Sequence, residues 1–129
     1  MIGYIQGRFD ILHYGHILTL INAKKYIKDG LLIVGVASDS FCEKWKGEAP
    51  KLNWHERSSV LRHIDCVDLV IPYDEVYPDK IHDSLEFDVF FIGEELLNGD
   101  IHTNLKSKGY KTTVLPRVPD ISSTALKNS

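Results

Sequence analysis

The sequence predicts a Rossmann-like, doubly wound α/β fold with five parallel strands and helices on both faces of the sheet. Two observations lead there. Short β-type runs alternate with longer stretches of helical spacing along the 129 residues, and such alternation builds a parallel sheet through crossover helices. The run "LLIVGVAS" is apolar at both alternating positions, as a strand covered on both sides requires. The length suits one compact domain spanning 1–129, and 43% hydrophobic content is enough for a core.

Taken in order, "IGYIQ" reads as the first strand, and His16 to Lys28 carries helical spacing. "LLIVGVAS" follows as the second strand, then a short helix near Asp39 to Lys44. Asn53 with Glu56 three residues later forms a capping-box pattern, which starts a helix running to Ile64 and carrying Arg57 and Arg62. "VDLVIPY", "FDVFFIG" and "YKTTVLP" supply the other strands, separated by helices at Pro78 to Leu85 and Ile101 to Lys108. The Pro-containing "GEAPKL" and "RVPD" are loop-sized. They read as loops of an active site.

Fifteen basic against 18 acidic residues give a net charge of −3, which suggests neither a nucleic-acid groove nor a polybasic membrane surface. No apolar stretch reaches the roughly 18 to 20 residues that span a bilayer. Cys42 and Cys66 lack metal-like spacing, and "MIGYIQGRFD" lacks the features of a leader. A cytoplasmic protein with reduced thiols is expected.

The chemistry concentrates in "GRFDILHYGHILTL". A strand ends at Gly7, a short loop follows, and His13 and His16 bracket Gly15 where a helix begins. Ligands of open parallel sheets sit beyond the carboxyl ends of strands, where helix N-termini offer free amides and a positive dipole. Two imidazoles there can donate to phosphate oxygens and stabilise charge growing on phosphorus. A lone histidine pair is more often structural, and the flanking pattern is what favours function. Asp10 alone does not complete a metal site, and no protein-bound metal is expected.

"GRFDILHYGH" resembles the His-x-Gly-His nucleotidyltransferase superfamily. "RVPDISSTALK" is similar to the Arg-x-x-x-Ile-Ser-Thr-Thr segment of cytidylyltransferases, with Arg117, Ile121, Ser122, Ser123 and Thr124 on the matching positions. In size and element order the chain looks closest to glycerol-3-phosphate cytidylyltransferases. The resemblance implies transfer of CMP from CTP to a small phosphorylated alcohol, with Mg²⁺ carried on the triphosphate, in a homodimer. It implies catalytic roles for His13, His16, Lys46 and Arg117. Nucleotide contacts would come from Gly7, Arg8, Phe9, Asp10, Tyr14, Gly15, Gly93, Glu94, Ile121, Ser122, Ser123 and Thr124. Lys44, Arg57, Arg62 and Lys80 would serve the acceptor.

Two positions depart from the pattern. Arg8 replaces the usual Thr and matches archaeal nicotinamide-nucleotide adenylyltransferases, which keeps ATP open as donor. Asp65 stands where cytidylyltransferases carry Arg, and Arg62 lies one helical turn back. A nucleotide-binding module without turnover is the third reading.

Overall fold

The computed structural model describes residues 1–93 and 100–116, with the backbone alone at Lys46, Asp100, Ile101, His102 and Lys106. Five strands, β1 (Ile2–Gly7), β2 (Leu31–Ala37), β3 (Leu69–Tyr73), β4 (Val89–Gly93) and β5 (Thr112–Leu115), form one sheet in the order β3-β2-β1-β4-β5. Every pairing is parallel. The expected doubly wound α/β architecture is the observed one.

The helices are α1 (Tyr14–Ile27), α2 (Asp39–Lys46), α3 (Trp54–Arg62), α4 (Asp79–Leu85) and α5 (Asp100–Ser107). Strand alternation sorts the core into two layers. On one face Ile5, Leu32, Val34, Val36, Val89 and Phe91 meet Leu20, Ala23 and Ile27 of α1 and Leu61 of α3. On the other, Tyr4, Ile33, Phe90 and Ile92 meet Phe87 and Leu105, with Ile81 and Leu85 of α4 packed against them. Pro72 is tolerated in β3 because that strand is a sheet edge.

Gly35 makes this second layer possible. A Cβ there would lie 2.2 Å from the Tyr4 hydroxyl oxygen, so its absence lets the buried Tyr4 ring cross β2. Tyr4 stacks on Phe87 with centroids 5.3 Å apart, and its hydroxyl donates to Gln6 Oε1 at 2.9 Å. Gln6 Nε2 in turn donates to the Val76 carbonyl at 2.7 Å, tying the loop before α4 to the end of β1.

After β3 the chain crosses to the far side of β1, so the carboxyl ends of β1 and β4 flank the point where the winding reverses. Gly7 and Gly93 close those two strands. No helix of the described residues is long and apolar enough to cross a membrane.

Candidate active site

The helix start after β1 differs by two residues from the sequence expectation. Helix α1 begins at Tyr14, with His13 as its N-cap. The Gly15 amide donates to His13 Nδ1 at 3.1 Å, and the His13 amide donates to His16 Nδ1 at 3.2 Å. The two histidines thus form a reciprocal capping box, a task usually given to Ser or Thr with Glu.

This arrangement fixes their chemistry. A ring nitrogen that accepts from a main-chain amide carries no proton, so each neutral imidazole holds its proton on Nε2. Both outer edges are therefore donors. The ring centroids lie 4.1 Å apart. Burial, and then the neighbouring His13 ring, push the His16 imidazole down to about 4, so near pH 7 it acts as a neutral donor. No acidic residue occupies the first turn of α1, and its N-terminal dipole is left open to an anion.

Phe9 supports His16. Its ring meets His16 edge-on at 5.6 Å and packs against the core. Its φ of 48° is left-handed, a backbone cost of order 1 kcal/mol offset by that packing. A side chain on Gly7 would come within 2.9 Å of the same ring. Gly15 is buried, whereas Tyr14 is 58% exposed.

Three of the charged residues expected at the site are engaged with other parts of the protein. Arg57 is not an exposed acceptor ligand: it is 1% exposed, and its three nitrogens donate to Leu52 O, Arg8 O and Asp39 Oδ1. Arg62 ends α3, whose N-terminus meets the carboxyl end of β2 through Trp54 Nε1 and Val36 O. Eight residues at about 1.5 Å each carry Arg62 about 12 Å toward the amino end of the sheet, where its guanidinium folds back onto Ser58. Asp10 is held by the loop before α3. Its oxygens accept from the Lys51 and Leu52 amides at 2.9 and 3.0 Å. Burial raises that carboxyl, but those amides and the Arg8 and Arg57 guanidiniums bring it below its ordinary range.

Arg8 lies 3.8 Å from Asp10 Oδ2, and its buried Nε has no hydrogen-bond partner among the described residues. Lys80, in the first turn of α4, is exposed and paired with Glu75 at 2.8 Å, which raises its ammonium through that hydrogen bond and the charges of Glu75 and Asp74. Lys44 is exposed on α2, and Lys46 is the last residue of that helix. The Lys46 side chain lies outside the described residues, as do Glu94, Arg117, Ile121, Ser122, Ser123 and Thr124. The sheet thus gathers Gly7 to His16 beside Gly93.

Asp39 was not among the expected site residues, because an Asp in a first turn is accounted for by the helix dipole. Its role shows only through Arg57 and the Trp54 amide, which it accepts at 3.2 Å. Among the described residues no group of three or more His, Cys, Asp or Glu is placed to hold a metal.

Many known proteins are similar to this chain in sequence or in fold. The chain is 32% identical over 128 residues to the bifunctional protein HldE of Rhodopseudomonas palustris, covering 97% of this chain and 26% of that protein. It is 36% identical over 123 residues to HldE of Streptomyces coelicolor, covering 93% and 26%. It thus spans about a quarter of those relatives. Among solved structures, a lipopolysaccharide core biosynthesis protein from Thermoplasma volcanium superposes with a TM-score of 0.74 at 25% identity, covering 92% of this chain and 96% of that one. A pantoate-beta-alanine ligase from Francisella tularensis shares the fold, with a TM-score of 0.63 at 18% identity, covering 99% and 65%. The cytidylyltransferase-like family model matches residues 4–129. The chain belongs to this cytidylyltransferase-like family, and its domain is nucleotidyltransferase-like.

Proposed function

We propose that this domain transfers a nucleotidyl group from a nucleoside triphosphate to the phosphate of a small sugar or polyol, releasing pyrophosphate. The observation that carries the reading is the pair of imidazoles at the N-terminus of α1 whose Nδ1 atoms accept main-chain amides, which turns their Nε2–H edges away from the backbone. An acceptor phosphate oxygen attacks the α-phosphorus in line, a new P–O bond forms, and the bond to pyrophosphate breaks. Negative charge on the crowded phosphorus is met by His13, His16 and the helix dipole. Lys46 and Arg117 are assigned to the triphosphate through the family resemblance, with Ile121 to Thr124 around it.

ATP is the donor in this reading. Arg8, in place of the Thr of cytidylyltransferases, supports it, and the likeness to a lipopolysaccharide core biosynthesis protein supports a sugar phosphate as acceptor. The family description and the "ISST" segment favour a second reading, CTP with glycerol 3-phosphate. Asp10 and Asp39 give their oxygens to main-chain amides and Arg57. They fit poorly as metal ligands, so Mg²⁺ is assigned to the triphosphate. Pyrophosphate release is measured with ATP or CTP against aldose 1-phosphates, glycerol 3-phosphate, phosphocholine and phosphoethanolamine. Release with ATP and an aldose phosphate is expected. Release with CTP and glycerol 3-phosphate alone selects the second reading, and nucleotide binding without release from any pair rejects both.

A further inference from the structure

Among the described residues Arg57 is the largest fully buried side chain, and its own helix gives it no charged partner. Its hydrogen bonds reach three other segments. Nε donates to Leu52 O at 2.9 Å in the loop before α3, Nη1 to Arg8 O at 2.8 Å just after β1, and Nη2 to Asp39 Oδ1 at 2.6 Å in the first turn of α2. Leu52 closes a circuit, because its amide returns to Asp10 Oδ1 in the same β1–α1 segment. A buried guanidinium persists only when paired and hydrogen-bonded. Only its planar fork can address three acceptors from three nitrogens, whereas a Lys brings one nitrogen.

The residue after Arg8 is Phe9, whose ring lies edge-on to His16. We infer that Arg57 is a positioning residue: it holds the Arg8–Phe9 backbone in place and, through the Phe9 ring, keeps the two histidines with their Nε2–H edges outward. It acts without touching either substrate. The kinetic part of this inference rests on the nucleotidyl-transfer reading, but the positioning part does not.

The test uses R57K and D39N in the full chain, the second removing a charge while keeping the shape of the site should R57K fail to fold. Histidine ¹⁵N–¹H correlation spectra at pH 7.5, without nucleotide, report the tautomers directly. In the wild type both histidines are expected as Nε2–H, and in R57K, or in D39N to a smaller extent, His16 is expected to show a tautomer mixture. Turnover should fall at least tenfold in R57K, with the acceptor KM within twofold. A tenfold rise in acceptor KM with turnover and tautomers unchanged would make Arg57 an acceptor ligand and overturn the inference. Unchanged spectra in both variants would overturn it as well. A wild-type protein that releases no pyrophosphate sinks the functional reading alone, since the spectra still decide the positioning role.

Discussion

Replacing His16 separates what the residue does for folding from what it does for a ligand. In His16→Ala the His13 amide loses its acceptor at 3.2 Å, and the Phe9 ring loses its edge contact at 5.6 Å. Loss of a cap bond costs about 1 kcal/mol, which for a domain of this size lowers Tm by about 3–5 °C. The outward Nε2–H also disappears, and losing one preorganised donor to a developing oxyanion costs about 2.7–4 kcal/mol of transition-state stabilisation. Turnover in the pyrophosphate-release assay should therefore fall about 100- to 1,000-fold while the fold persists. His16→Gln supplies the second arm: a Gln at the third helical position can accept from the N-cap amide, so its Tm should lie within about 2 °C of wild type. Its turnover should stay depressed, because the donor no longer occupies the imidazole edge. Near-wild-type turnover in His16→Ala, with only the drop in Tm, would refute the catalytic assignment and leave His16 as a cap.

Other perturbations follow from the same geometry. Gly35→Ala should destabilise the fold by about 3 kcal/mol in urea unfolding, since its Cβ would collide with a Tyr4 ring confined by Phe87 and Phe90; a change under about 0.5 kcal/mol would show that the ring can move. Asn53→Ala removes an N-cap that accepts from the Glu56 amide at 2.8 Å and should cost about 1 kcal/mol, with little effect on turnover. Stability should fall on acidification. His16 is held neutral, with its folded value down at about 4 against an ordinary 6.5. The unfolded chain therefore takes up the proton first, and the contribution present above pH 6.5 is lost as pH falls toward 4. After discounting for partial exposure this amounts to about 1–2 kcal/mol. Asp10 and Asp68, both below their ordinary range, add a further loss below about pH 4. Tm measured from pH 7.5 to 4 should decline less steeply in His16→Ala than in wild type.

The strands were legible because a sheet covered on both faces demands long apolar runs, and "LLIVGVAS" and "FDVFFIG" provide them. The placement of the histidine pair was legible because it is local: a strand end, a loop and a helix start in ten residues. The pair's tautomers were not, since His is an unusual cap and its acceptor role appears only with the backbone in place. Arg57 misled for a related reason. Flanked by Glu56 and Ser58 it looks like a solvent-facing residue, yet its partners Arg8 and Asp39 lie 49 and 18 positions away in sequence. The place of Arg62 could have been read, because a crossover helix runs antiparallel to its strands and its last turn must lie opposite the ligand edge.

The reciprocal cap has a consequence for motion. Both imidazoles are anchored by amides of the N-cap and first turn, so the fraying that other helices tolerate at their ends would here dismantle the ligand-facing edge. Amide hydrogen exchange at His13 and Gly15 thus becomes a local clock for the site: the free energy of opening that one turn limits how much of the population is competent at any instant. Activity would then decline on heating with the opening of this turn, ahead of the global unfolding of the sheet beneath it.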